Sequence, residues 1–306
     1  MKKRLLIGFT LAWLGGWMLS SCDMSGGTEP EEVAAPRIVA GPTVSNVDIT
    51  LAEIRWQTDV VANSIVRYGT VSGSYEKIVQ STEKEQSHFL ALTSLNANTT
   101  YYYIAESENE GGKIVSPEGE FTTKKTIEMI FDQAWNDYAE GRYQQAIRQF
   151  KDLIENSSSF YKAYVGLGWC YAASPVDSLQ KSKLNFSIAI SFKSDLTSAY
   201  AGRGFVNMAL ELSHEAITDF LMVLQLDEDF VFERDSEINN NDVRLGLAEL
   251  YFYQQKFNLA QEQVDVLKPD NGLNADDSET WIVNGTAYGS YAESLLALIE
   301  TLKSLV

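Results

Sequence analysis

Two histidines and two cysteines are all that 306 residues offer for nucleophilic or zinc chemistry, and no two of the four, Cys22, His88, Cys170 and His214, are close in sequence. An activated nucleophile needs a base within hydrogen-bond reach, and a zinc site needs three or four ligands. Neither pattern is present, so the sequence predicts no enzyme, no metal and no diffusible cofactor. The stretch "LDEDFVFERDSE" is acidic but lacks the alternating oxygens and central glycine of a calcium loop. Gly166-Leu167-Gly168 and Gly202-Arg203-Gly204 follow no strand, so they read as packing glycines inside helices, not as phosphate loops. The residue types that stand out are aromatic. "AWNDYAEGRYQQAIRQF", residues 134–150, sets Trp135 and Tyr138 one turn apart on a helical face, beside Ala134 and Ala146, which look like the buried positions.

Cys22 has its own context. "MKKR" is a basic start, "LLIGFTLAWLGGWML" is an apolar run of fifteen, and "LSSC" follows with small residues before the cysteine. A run this short reads as an export signal and not as a membrane span. Leu19-Ser20-Ser21-Cys22 resembles the lipobox of bacterial lipoproteins. That resemblance implies a signal peptide over 1–21, cleavage before Cys22, and a covalent lipid on Cys22. Several acyl chains anchor stably where one would bind only marginally. The implied location is the bacterial cell envelope, lipid-anchored to a membrane. Asp23 resembles the inner-membrane retention signal of enteric bacteria, a rule that is not general, so inner and outer membrane both stay open. With Cys22 acylated, Cys170 is left alone in "GLGWCYA", where a buried small hydrophobe is expected.

The formal charge is −18, and residues 1–21 carry three basic side chains and no acid, so their removal makes it more negative. Such a surface repels nucleic acid. Residues 22–36 are rich in Gly, Ser, Pro and Glu without periodicity and read as a flexible tether. Over 37–124 the texture is β: "AEIRWQTD", "NSIVRYGT", "SHFLALTSL" and "TTYYYIAES" are short runs separated by turn residues. Trp56 in "IRWQT", the "VRYGTVSGSY" segment, and Tyr101 six residues after Leu95 resemble a fibronectin type III domain, especially the version that precedes catalytic domains in some secreted phosphatases. The resemblance implies a β-sandwich with Trp56 in its core and Tyr101 at a tyrosine corner, and a spacer or docking role. His88 is expected to be an edge-strand histidine.

From Thr126, a plausible N-cap, the period becomes helical. "GRYQQAIRQFKDLI", "LSHEAITDFLMVL" and "QKFNLAQEQVDVL" align on Ala146, Ala216 and Ala260, with Ser182 in the same frame, and each is preceded by a helical pattern bearing Ala134, Gly168, Gly204 or Ala248. This resembles the tetratricopeptide repeat, a helix–turn–helix unit of about 34 residues. Four repeats are expected within 125–269, with an insertion, "FVFERDSEINNND" at 230–242, between the third and fourth. Residues 270–306 are expected to be a linker and an amphipathic helix on Tyr291, Leu295, Leu298, Ile299, Leu302 and Leu305. The fold class is thus multidomain: an all-β fibronectin type III-like sandwich, then an all-α tetratricopeptide superhelix.

In that family the first helices line a concave surface that binds extended peptides. Carried over position by position, the resemblance puts Phe131, Trp135, Tyr138, Val165, Trp169, Phe205, Met208 and Phe252 on the groove, with Trp135, Trp169 and Phe205 forming an aromatic ladder. Ala134, Tyr143, Ala146 and Phe150 then belong to the core of the first repeat. The groove shows almost no Lys or Arg, unlike repeats that clamp a carboxylate. An apolar stripe this large should be covered: by the C-terminal helix as cap or filling, or by a partner. The function implied is an envelope scaffold or adaptor that binds a protein or peptide. The alternative is a glycan-binding surface lipoprotein that stacks sugars on the ladder.

Overall fold

The computed structural model describes residues 32–174 and 178–305, so the export signal and Cys22 lie outside the described residues. The chain forms two compact units, a β-sandwich-like unit and a helical unit of tetratricopeptide type.

The β unit is built on two long strands. β1 (Ile38–Ser45) pairs with the first half of β2 (Ala52–Gly69), and β3 (Lys77–Leu92) runs antiparallel to β2 along both halves. Register shifts between Gln57 and Ser64 carry β2 from one set of partners to the other. Beyond the shift, Ile65–Gly69 also pairs with β4 (Thr100–Asn109). β4 in turn pairs with β5 (Gly112–Val115) and β6 (Gly119–Thr122). Alternation explains the core: Tyr101, Tyr103 and Ala105 of β4 point inward with Ile54, Trp56, Val66 and Leu92.

β3 pairs with β2 alone, so His88 does sit on an edge strand, but its side chain is buried, with 3% of its surface exposed. Its ring stacks on Trp56 at 4.8 Å. Nε2 lies 2.9 Å from Thr58 Oγ1 and Nδ1 lies 2.8 Å from Ser64 Oγ. Thr58 Oγ1 donates to the Val60 carbonyl, so it accepts from Nε2–H, and the Ser64 hydroxyl donates to Nδ1: a neutral imidazole satisfied on both sides. Burial lowers the His88 pKa below its ordinary value. The unfolded chain therefore binds a proton near pH ~6.5 that the folded chain resists. The contribution of neutral His88 is present above that pH and is lost as pH falls through the depressed folded value. His88→Gln should flatten the fall in thermal midpoint between pH 7.5 and 5.5. Parallel pH profiles for wild type and variant would contradict this.

The helical unit is four antiparallel pairs: α1 (Ile127–Ala139) with α2 (Tyr143–Asn156), α3 (Tyr161–Ala172) with α4 (Leu179–Phe192), α5 (Thr197–Ala209) with α6 (Ser213–Leu226), and α7 (Asn240–Tyr253) with α8 (Phe257–Leu267). Thr126 caps α1 through a bond from Met129 N, and Asn239 forms a capping box with Asp242 at the start of α7. The insertion expected at 230–242 therefore spans 227–239, since Asn240–Asp242 already belong to α7.

Three of the four pairs are closed by one phenylalanine lying against small residues, and the fourth has buried Val264 in that place. A Cβ on Gly166 would stand 2.3 Å from the Phe150 ring. On Gly168 and Gly202 it would stand 2.5 and 2.2 Å from Phe186, and on Gly204 and Gly246 2.6 and 2.8 Å from Phe220. Each of the last two rings thus packs between the first helix of its own pair and that of the next. Ser182, in the alanine position of the second pair, is buried with its hydroxyl donating to the Gly168 carbonyl at 2.7 Å. Cys170 is fully buried, and burial pushes its thiol up to about 12. Tyr143 differs from expectation: it is half-buried, resting on Tyr138 at 5.6 Å, because it opens α2 at the mouth of the pair.

After α8 come a short hairpin, β7 (Ile282–Val283) and β8 (Thr286–Ala287), and then α9 (Tyr291–Lys303). Leu295, Leu298 and Ile299 are buried, Tyr291 donates to Gln261 Oε1 at 3.0 Å on α8, and Lys303 pairs with Glu249 on α7. α9 thus caps the last pair. Leu305 falls beyond the helix end and is exposed.

Ala is the better helix former by about 1 kcal/mol. Gly202→Ala should nevertheless lower the helical unit's stability by ~1–3 kcal/mol through overpacking on Phe186. A thermal midpoint equal to or above wild type would show that the ring yields.

Candidate partner-binding site on the concave face

Trp135 and Trp169 follow Ala134 and Gly168 by one residue, so the packing that buries the small residue turns the indole about 100° away, toward the concave side. Both indoles are nevertheless 95% buried, each with 5% of its surface exposed. The cover is the insertion. Phe232, only 2% exposed, stacks on Trp169 at 4.6 Å and 19°, and meets Trp135 edge-on at 5.7 Å. Phe230 is buried beside it in the same core. Arg234 lies over Phe131 at 5.4 Å and over Trp135 at 5.6 Å, a cation–π pair on a partly dehydrated surface.

The groove is therefore self-filled, and the filling is the 227–239 insertion, while the C-terminal helix caps. The insertion is a small hairpin. Val231 and Asn239 bridge antiparallel, Phe232 N donates to Ile238 O at 2.8 Å, and Asn240 N donates to Phe230 O at 2.7 Å. Two phenylalanines, 230 and 232, inside an acidic loop were the signal: side chains that apolar need burial, and the nearest unfilled apolar surface was the groove.

The eight predicted residues divide into groups. Phe131, Trp135 and Val165 border one cleft, and Trp169 lies behind Phe232. Tyr138 is half-buried against Trp135 at 5.3 Å, and burial first, then the Asp235 carboxylate, raise its phenol well above the usual range. Phe205 packs on Phe220 at 4.9 Å, Phe252 on Phe257 at 5.3 Å, and Met208 is half-buried against the core; these three do not line the cleft.

The cleft that stays open, about 270 Å³, is lined by Phe131, Trp135, Tyr161, Val165, Leu196 and Phe232, with Lys162, Lys193, Ser198, Glu233 and Arg234 among them. The sequence pattern predicts almost no Lys or Arg here. Lys193 comes from the turn before α5 and Arg234 from the insertion, so three cations reach the opening, with Glu233 among them, in a chain of net charge −18. Their ion pairs are long and exposed: Lys193 with Asp195 at 3.6 Å, Arg234 with Asp132 at 3.7 Å and with Glu233 at 3.6 Å. Such pairs are worth little and leave the cations available. Among the described residues, no group of three His, Cys, Asp or Glu could hold a metal ion.

Phe232→Ala should expose both indoles, red-shifting tryptophan emission while leaving helix content unchanged. A spectrum identical to wild type would mean that the walls close without the ring.

Residues 42–123, the stretch that carries the strands from β1 to β6, match the family model of the purple acid phosphatase N-terminal domain. No curated protein matches the chain. Among solved structures, it is similar to a tetratricopeptide repeat protein from Parabacteroides merdae, at 14% identity and TM-score 0.41, over 58% of this chain and 60% of that one. It is also similar to a thermophilic protein of the same type from Thermus thermophilus, at 18% identity and TM-score 0.38, over 56% and 82%. A third is MamA, at 14% identity and TM-score 0.40, over 55% and 91%.

Proposed function

We propose that this chain is a lipid-anchored cell-envelope scaffold that holds a protein or peptide partner at the concave face of its helical repeats. The observation that carries the reading is the cleft itself: aromatic walls with Lys162 and Lys193 at the rim, set on four helix pairs of which three are closed by a buried phenylalanine. A peptide that docks there gains apolar contact and charged hydrogen bonds together. Stacking of sugar rings needs exposed aromatic faces, and the Trp169 face is taken by Phe232, so the protein reading is favoured over the glycan one. The anchor rests on Cys22 and the Leu19-Ser20-Ser21 sequence before it. The covalent lipid is the only attached group proposed; catalysis and nucleic-acid binding form no part of the function.

Two measurements test the reading. Cys22→Ser should move the protein from the membrane to the soluble fraction, and persistence in the membrane would refute the lipid anchor. A photo-crosslinking residue at Leu196, in the cleft, should give a discrete adduct in cells that the same residue at Leu184, exposed on α4, does not give. Equal adducts from both positions, or none from Leu196, would refute the concave site.

A further inference from the structure

The hairpin that fills the groove is attached to it as a ligand would be. Among the described residues, no hydrogen bond joins 230–238 to α1, α3 or α5; the main-chain bonds of this segment close on itself and on the start of α7. What holds it is apolar burial and one charge: Phe230 and Ile238 pack on the helical core, the Phe232 ring lies between the two indoles, and Arg234 makes its cation–π contacts and one ion pair to Asp132 at 3.7 Å. It is also an incomplete fit. Trp135 Nε1 and Trp169 Nε1 are both enclosed without an acceptor, although Phe232 contacts both rings. Buried indole N–H groups ordinarily find a partner. On the cleft wall that Trp135 borders stand Lys162, exposed and without an ion pair among the described residues, and Lys193.

Resting on the concave-face reading above, we infer that hairpin 230–239 is a displaceable plug, and that the segment replacing it is an extended acidic peptide carrying one large aromatic side chain. The aromatic takes the place of Phe232 between Trp135 and Trp169. The peptide's oxygens accept from the two indole N–H groups, which the plug leaves unpaired, and its carboxylates face Lys162 and Lys193. The plug keeps the apolar wall covered while no partner is bound, and it selects against apolar peptides that lack acceptors and charge, since these offer nothing the plug does not already supply.

The test uses the full chain in detergent with three fluorescein-labelled nonapeptides flanked by Gly and Ser: an Asp-Phe-Asp core, a Lys-Phe-Lys core and an Asp-Ala-Asp core. Anisotropy should show the first binding at least tenfold more tightly than the other two. Phe232→Ala and, as a variant that leaves no void in the core, Arg234→Ala should each tighten it further, by about tenfold for the first, because Arg234 moves away with the plug and the peptide's carboxylates meet Lys162 and Lys193 only. Lys162→Glu should weaken it about tenfold. Unchanged affinity in both loop variants would overturn the plug, and equal binding of the Lys-Phe-Lys peptide would overturn the acidic partner. If none of the three peptides binds while the Leu196 crosslink persists, the partner chemistry is wrong and the concave site stands. If the Leu196 crosslink is absent as well, the site itself falls.

Discussion

The helical unit depends on one repeated contact: a phenylalanine ring from a second helix pressed against backbone that carries no side chain, or only a methyl, on the first helices. Phe150, Phe186 and Phe220 are fully buried in this way, and removing such a ring typically costs 3–5 kcal/mol. The contact does more than stabilise. Close approach at Gly168 and Gly204 fixes how far each first helix is rotated about its axis, and the next residue along, Trp169 or Phe205, is thereby set at the concave edge of the contact, with its ring against Phe186 at 5.5 Å or Phe220 at 4.9 Å. In the first pair Ala134 does the same for Trp135. The aromatic stripe follows from the core contact, so a change in the glycines would disturb packing and groove together.

Local spacing made this much legible in the sequence. Small residues recurring with an alanine or serine twelve to fourteen positions on, and a ring four further, place the core contact without any knowledge of the fold, as Gly168, Ser182 and Phe186 do. The β unit was legible for the same reason, from alternation and from Trp56. What spacing could not show is where a loop goes. Residues 227–239 have no period, and their destination is set by contact with helices far away in the chain: Phe232 meets Trp135, ninety-seven positions earlier. Lys193 was unreadable as a groove residue for a related reason, since it belongs to a turn and not to a helix face.

Burial of His88 was missed on different grounds. A lone histidine in a strand that begins with Ser and ends in Leu reads as half-exposed. The structure buries it because the shift in β2 brings Thr58 and Ser64, from either side of the irregularity, to the two ring nitrogens. Two hydroxyls six residues apart on a regular strand would be about 20 Å apart, too far to reach one imidazole. The irregular segment of β2 and the buried histidine are therefore one feature: the strand's change of partners creates the polar pocket, and the neutral ring fills it.

The same reasoning about satisfied and unsatisfied groups bounds how tightly the groove is closed. Burying the two rings Phe230 and Phe232 is worth roughly 3–6 kcal/mol. Against that stand two indole N–H groups enclosed without acceptors, each costing about 1–3 kcal/mol. The two terms are of similar size, so the plug closes the groove by a small net margin. A partner meeting that equilibrium gives up contacts and affinity in proportion to the closed fraction. It recovers them only by supplying what the plug lacks, acceptors at the two indoles and negative charge at the lysines. A groove closed by its own loop on these terms is silent toward peptides that are merely apolar, and its selectivity comes from the polar groups that the loop leaves unpaired.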